Sequence, residues 1–175
     1  MQTDLQNLDA EISHALSNLD PQQMQATPTS HPEKWTIQQI VEHLLLTYQR
    51  TLPALQARLD KGTPTRATPS LLQRAAQLSI FSFRYFPPGR PAPLSVTPPP
   101  SEIPRSGHEV SRQVSVDLAQ LEAMLSKAEL LFGSRRAASH MTLGPLSMAQ
   151  WRRFHLVHGR HHLKQIQAIR RDHQF

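Results

Sequence analysis

The chain has 175 residues, 38% apolar and 18% charged, with a formal net charge of +6 and ten histidines. That length suits a single domain, 1–175, with one sizeable core, and two domains would be cramped. The lack of cysteine excludes disulfides, thiolate metal ligands and a cysteine nucleophile, and no run of about 18 uncharged apolar residues exists to span a membrane.

The N-terminal stretch MQTDLQNLDAEISHALSNLD is polar and carries Asp4, Asp9 and Glu11. It lacks the basic start and apolar run of a signal peptide, so a cytoplasmic protein is expected. Its apolar positions Leu5, Leu8, Ile12, Leu16 and Leu19 recur every three or four residues, which predicts a first helix over 3–19. Asp20-Pro21 ends it, and 22–34, with Pro28 and Pro32, reads as a loop.

A second helix starts at Thr36, where Gln39 three residues on completes a capping box. Pro53 lies inside it, so a kink or break is expected near Gln49; Gly62 closes it. A third helix is expected over 69–85, burying Leu71, Leu72, Ala75, Leu78, Phe81 and Phe86. Residues 87–104 follow, and eight of these eighteen are proline. Neither helix nor central strand forms on such a segment, so it reads as an extended Pro-rich connection. The fourth helix, 107–132, turns Val110, Val114, Leu118, Leu121, Leu125 and Leu131 inward and ends at Gly133. A loop, 135–146, leads to a fifth helix with Ser147 as N-cap, running to about 171. No segment shows sustained period-two alternation, so no sheet is expected. The fold class is an all-α helix bundle with one long crossover.

Much of the positive charge lies on Arg135, Arg136, Arg152, Arg153, Arg160, Lys164, Arg170 and Arg171. No nucleic-acid motif accompanies it, so a solvated helix face is the expectation rather than a nucleic-acid contact.

Half the histidines fall between His140 and His162. On a helical wheel centred on His158, His162 falls at about 40°, Gln165 at about −20°, and Trp151 and Ile169 at about 20°. The two histidines therefore share the apolar face, with their rings stacked one turn apart. Buried imidazoles need partners. One shared divalent metal ion supplies them, and so do ordinary hydrogen bonds to neighbours, which a bare HxxxH pattern leaves open. His43 lies in the apolar stretch of the second helix, about 100° from its centre at Leu44. That position fits either a third ligand or a lone core histidine.

The segments WTIQQIVEHLLLTYQRT (35–51), WRRFHLVHGRHHLKQI (151–166) and the entry loop HMTLGPLS (140–147) resemble the DinB-like family of four-helix metal-binding proteins, in the branch of DUF1569-type proteins. Met141 stands where the family's loop has proline. The resemblance implies an up-down-down-up four-helix bundle with a long Pro-rich crossover and short peripheral helical segments. It also implies that His43 crosses the bundle to join His158 and His162 as the metal ligands. Three imidazoles leave a coordination position open, the catalytic rather than the structural pattern. Zinc or nickel is the expected ion, with iron or manganese as further options. Relatives imply a metal-dependent S-transferase using a low-molecular-weight thiol cosubstrate, or a hydrolase. The alternatives are a non-enzymatic, metal-stabilised stress-response or binding protein and, ranked last, a nucleic-acid-binding helical protein. Gln165 and Arg50 are candidate site-lining residues, and His155 is the candidate for proton transfer. Glu42 is expected to be a solvated carboxylate and His161 a peripheral residue. A small-molecule substrate is the expected partner, a homodimer is compatible, and no membrane is involved.

Overall fold

The computed structural model describes residues 3–87, 92–100 and 103–175. The sequence-derived Pro-rich connection therefore lies partly outside the described residues, at 88–91 and 101–102. Among those described, five α-helices form: α1 (Asp4–Leu16), α2 (Ile37–Lys61), α3 (Leu71–Phe81), α4 (Gly107–Phe132) and α5 (Met148–His173). Each starts on a full capping box, with Thr3, Thr36, Ser70, Ser106 and Ser147 paired to Gln6, Gln39, Gln73, Glu109 and Gln150. Every helix start therefore has two of its otherwise orphaned amides satisfied by local side chains.

Helices α1, α2, α4 and α5 pack around one core, with α1 and α2 each lying against both α4 and α5. Side-chain contacts fix their directions. Ser115 bonds Asp9, and the Gly107 amide bonds the Leu19 carbonyl, so α1 and α4 are antiparallel. Arg153 pairs with Asp4 and Arg160 with Glu11, so α1 and α5 are parallel. Gln38 meets Arg105 just before α4, and Gln49 meets Asp117 within it, so α2 and α4 are parallel. The order is up-down-down-up, and the long crossover between α2 and α4 is what lets them run the same way. Helix α5 approaches α1 at Gly159, where a Cβ would lie 2.7 Å from both Leu8 methyl carbons.

Several sequence expectations are corrected here. Helix α2 runs unbroken through Gln49 and Pro53. Packing against α4 and α5 holds it, and the Thr47 and Thr51 hydroxyls bond the carbonyls one turn back. The expected loop 135–146 contains a small antiparallel hairpin, β1 (Ala138–His140) with β2 (Gly144–Leu146), pairing Ala138 with Leu146 and His140 with Gly144. Strands of three residues are too short to display alternation. Helix α3 does not bury its leucines. Leu71 and Leu72 are 84% and 80% exposed, Leu78 is 53% exposed, and Ala75 is exposed as well. The helix rests on α5 and the hairpin outside the four-helix core. It turns Gln77 and Ile80 inward, and the Gln77 amide donates to the Leu143 carbonyl at 2.8 Å. In α4, Phe132 rather than Leu131 faces the core, continuing the Leu125–Ala128 spacing. Within the expected loop 22–34, a 3-10 turn, Gln23–Gln25, buries Met24, and a second, Leu94–Val96, forms in the Pro-rich connection where no helix was expected, since a single 3-10 turn fits between Pro93 and Pro98. No helix among the described residues is long and apolar enough to cross a membrane.

Candidate metal centre

The inward stripe of α5 mixes large apolar groups with imidazoles. Trp151, Phe154, His155, His158, His162 and Ile166 are all buried. Helix α2 faces it antiparallel, with His43 on its buried side beside Ile40 and Leu44. The three histidines are only 4%, 4% and 7% exposed in the order His43, His158, His162. Their ligand nitrogens lie within 4.8 Å of one another. His158 Nε2 is 3.2 Å from His43 Nε2 and 3.1 Å from His162 Nε2.

The other ring nitrogens determine what those Nε2 atoms can be. His43 Nδ1–H donates to the Val96 carbonyl at 2.7 Å. His162 Nδ1–H donates to Gln165 Oε1 at 2.8 Å. Both neutral rings therefore present a lone pair at Nε2. A neutral His158 offers one proton at Nε2 at most, so at least one of the two short contacts sets a lone pair against a lone pair. A cation between the three nitrogens relieves that repulsion. The spacing also fits, because a tetrahedral ion with metal–nitrogen bonds of about 2.0–2.1 Å separates two ligand nitrogens by about 3.3–3.4 Å.

Protonation does not supply the charge. Burial and the neighbouring imidazoles push His158 well below the ordinary histidine range. Burial and then His43 push His162 down to about 3. Burial lowers His43 too, opposed by its bond to Val96. All three stay in the neutral, metal-ligating form at physiological pH. The Nδ1 of His158 is buried with no hydrogen-bond partner among the described residues, and its ring is held by packing, stacked on Phe154 at 5.4 Å and 9°.

The trio opens onto a cavity of about 550 Å³. Its walls include Trp35, Ile80, Phe86, His140, Leu143 and Phe154, and no Asp, Glu, Lys or Arg among the described residues lines it. One side of the histidine cluster is thus reachable by a small molecule in a space that the described residues make mostly apolar.

Of the residues singled out from sequence, Gln165 lies at the cavity and orients His162. His161 also lines it, against Phe86 at 5.2 Å. Arg50 is exposed and does not line the cavity. His155 is fully buried behind it, between Tyr48 and Trp151 and 3.3 Å from the Thr51 hydroxyl. Burial, and then His140, hold it down to about 3. Glu42 is not the solvated carboxylate expected: it is 17% exposed, 2.9 Å from Arg105, and accepts a bond from Gln38. Sequence reasoning missed Val96, a carbonyl in the Pro-rich connection, and the aromatic walls Trp35 and Phe86. A backbone carbonyl leaves no signal in sequence, and proline density marked the segment without giving its task. The basic face is also less free than expected, since Arg152 bonds Glu122 and Glu129, and Arg160 bonds Glu11.

A family model described as the DinB superfamily matches residues 5–166, nearly the whole chain. No curated protein and no solved structure matches.

Proposed function

We propose that this chain, which belongs to the DinB superfamily, is a metal-dependent enzyme that holds one divalent transition-metal ion on His43, His158 and His162 and joins a low-molecular-weight thiol to an electrophile. The observation that carries this reading is the convergence of three neutral imidazole Nε2 atoms on the wall of an open cavity. Imidazole donors suit zinc or nickel first, and iron next. When bound, such an ion acts as a Lewis acid that lowers the pKa of a thiol or water in the open position.

The chain's own residues perform the rest. Val96 and Gln165 fix the rings of His43 and His162 in the tautomer that leaves Nε2 free. Phe86 and Phe154 pack against His158 and make its surroundings on the cavity side apolar. A transferase fits better than a hydrolase, because no carboxylate among the described lining residues is placed to act as general base. The ion pairs of Arg152 and Arg160 speak against a nucleic-acid role for the basic face, since they neutralise part of it.

Elemental analysis of purified protein tests the metal assignment. About one equivalent of a transition metal is expected, lost in His43→Ala, His158→Ala and His162→Ala and kept in His161→Ala. Equal retention in all four removes the site. Consumption of a low-molecular-weight thiol by 1-chloro-2,4-dinitrobenzene on the loaded protein tests the chemistry. Metal retained without turnover removes the transferase reading and leaves a metal-stabilised binding protein.

A further inference from the structure

His140 stands on the same cavity wall but belongs to a different element. It is the last residue of β1 and pairs with Gly144 across the hairpin. Its ring lies on Phe154 at 4.4 Å and near Trp151 at 5.4 Å. Phe154 in turn stacks on His158. His140 is therefore one aromatic ring removed from the histidine trio.

Two backbone amides aim at one nitrogen of this ring. Thr142 N–H donates to His140 Nδ1 at 3.1 Å, and Leu143 N–H at 3.2 Å. A nitrogen that accepts from two donors carries no proton. The proton of the neutral ring is therefore on Nε2, which has no hydrogen-bond partner among the described residues. Burial pushes His140 down to about 4, so the ring stays neutral and keeps this arrangement across the physiological range. The hairpin turn itself needs only an acceptor, and an Asp or Asn side chain supplies one at such turns. The imidazole adds a donor that the turn does not use.

We propose that His140 Nε2–H is a substrate-binding group, donating a hydrogen bond to an acceptor oxygen of a ligand whose remaining body is uncharged and apolar. The site for that body is the cavity between α3 and α5, where Phe86, Phe154, Ile80 and Leu143 offer apolar contact and no described residue offers a charge. A carbonyl compound with an aryl or alkyl body has this chemistry. A neutral imidazole donor polarises a carbonyl without surrendering its proton, which suits an electrophile that a thiol attacks. This inference rests on the metal-site reading only for what lies at the opposite end of the ligand.

Acetophenone labelled with carbonyl-13C is the probe, titrated into zinc-loaded and into chelator-treated protein. Affinity is read from quenching of tryptophan fluorescence, Trp35 being a wall of the cavity. The infrared band of the bound carbonyl reads the hydrogen bond itself. Saturable binding is expected, with a lower carbonyl frequency in wild type than in His140→Phe and about tenfold weaker affinity in that variant. Phenylalanine keeps a ring against Phe154, but it leaves the Thr142 and Leu143 amides without their acceptor. The wild-type ring is therefore also read directly by 15N NMR. Its proton is expected on Nε2, with that resonance moving on addition of acetophenone. Absence of saturable binding, a band and affinity unchanged in His140→Phe, or a proton on Nδ1 overturns the assignment. A misplaced metal site gives a separate result: zinc then leaves acetophenone unaffected while the dependence on His140 persists.

Discussion

Replacing Gln165 with leucine separates the metal site from the stability of the bundle. Gln165 is exposed and packs into no core. Its Oε1 accepts the His162 Nδ1 proton at 2.8 Å. Leucine removes that acceptor, so nothing holds the proton on His162 Nδ1, and the tautomer with its proton on Nε2 has no lone pair to offer at the atom that faces His43 and His158. Loss of such an outer partner costs about 10–100-fold in metal affinity, or about 1.4–2.8 kcal/mol. Gln165→Glu supplies a charged acceptor in the same place and is expected to bind zinc at least as tightly as wild type. A competition titration against a chromophoric chelator at pH 7 gives the affinities. Thermal unfolding of the chelated proteins by circular dichroism provides the control, where a surface change stays within about 0.5 kcal/mol of wild type. If Gln165→Leu binds zinc like wild type while Gln165→Glu binds more weakly, His162 is not oriented in this way.

Gly159→Ala drives a methyl into Leu8 at the α1–α5 crossing, so a loss of about 1–3 kcal/mol is expected in urea unfolding; a neutral result means the two helices are not so close. The chelated protein should lose stability as pH falls. His140 and His155 titrate at about 4 and about 3 in the folded chain, against about 6.5 when unfolded. Between those values the unfolded state binds more protons, so stability is full above about pH 6.5 and falls below it, by up to about 1.4 kcal/mol per pH unit for each group. A melting temperature constant from pH 7 down to 5 contradicts that burial. Metal removal at pH 7 should lower the melting temperature, because an ion held by His43, His158 and His162 would tie α2 to α5; an equal melting temperature with and without chelator argues that the trio binds no ion in the folded protein.

Local chemistry along the chain was enough for much of the fold. The Thr36–Gln39 box, Gly62 at the end of α2, Gly133 at the end of α4 and Ser147 at the start of α5 all act through neighbours within a few residues. The i, i+4 placement of His158 and His162 on the apolar stripe is equally local, since helical geometry alone aligns them. His43 was different. Its wheel position suited a ligand or a lone core histidine, and only the antiparallel packing of α2 on α5 brings its Nε2 to 3.2 Å from His158. Tertiary placement also decided which side of α3 is buried, because that helix lies outside the core and apolar residues occur on several of its faces. The same is true of the contact that holds His43: the Val96 carbonyl comes from 53 residues away, at the end of a short 3-10 turn in a Pro-rich segment whose composition argued against α-helix and strand but could not say what it would touch. Periodicity records a chain's relation to its own near neighbours, whereas a site built across helices depends on distances set when the core closes.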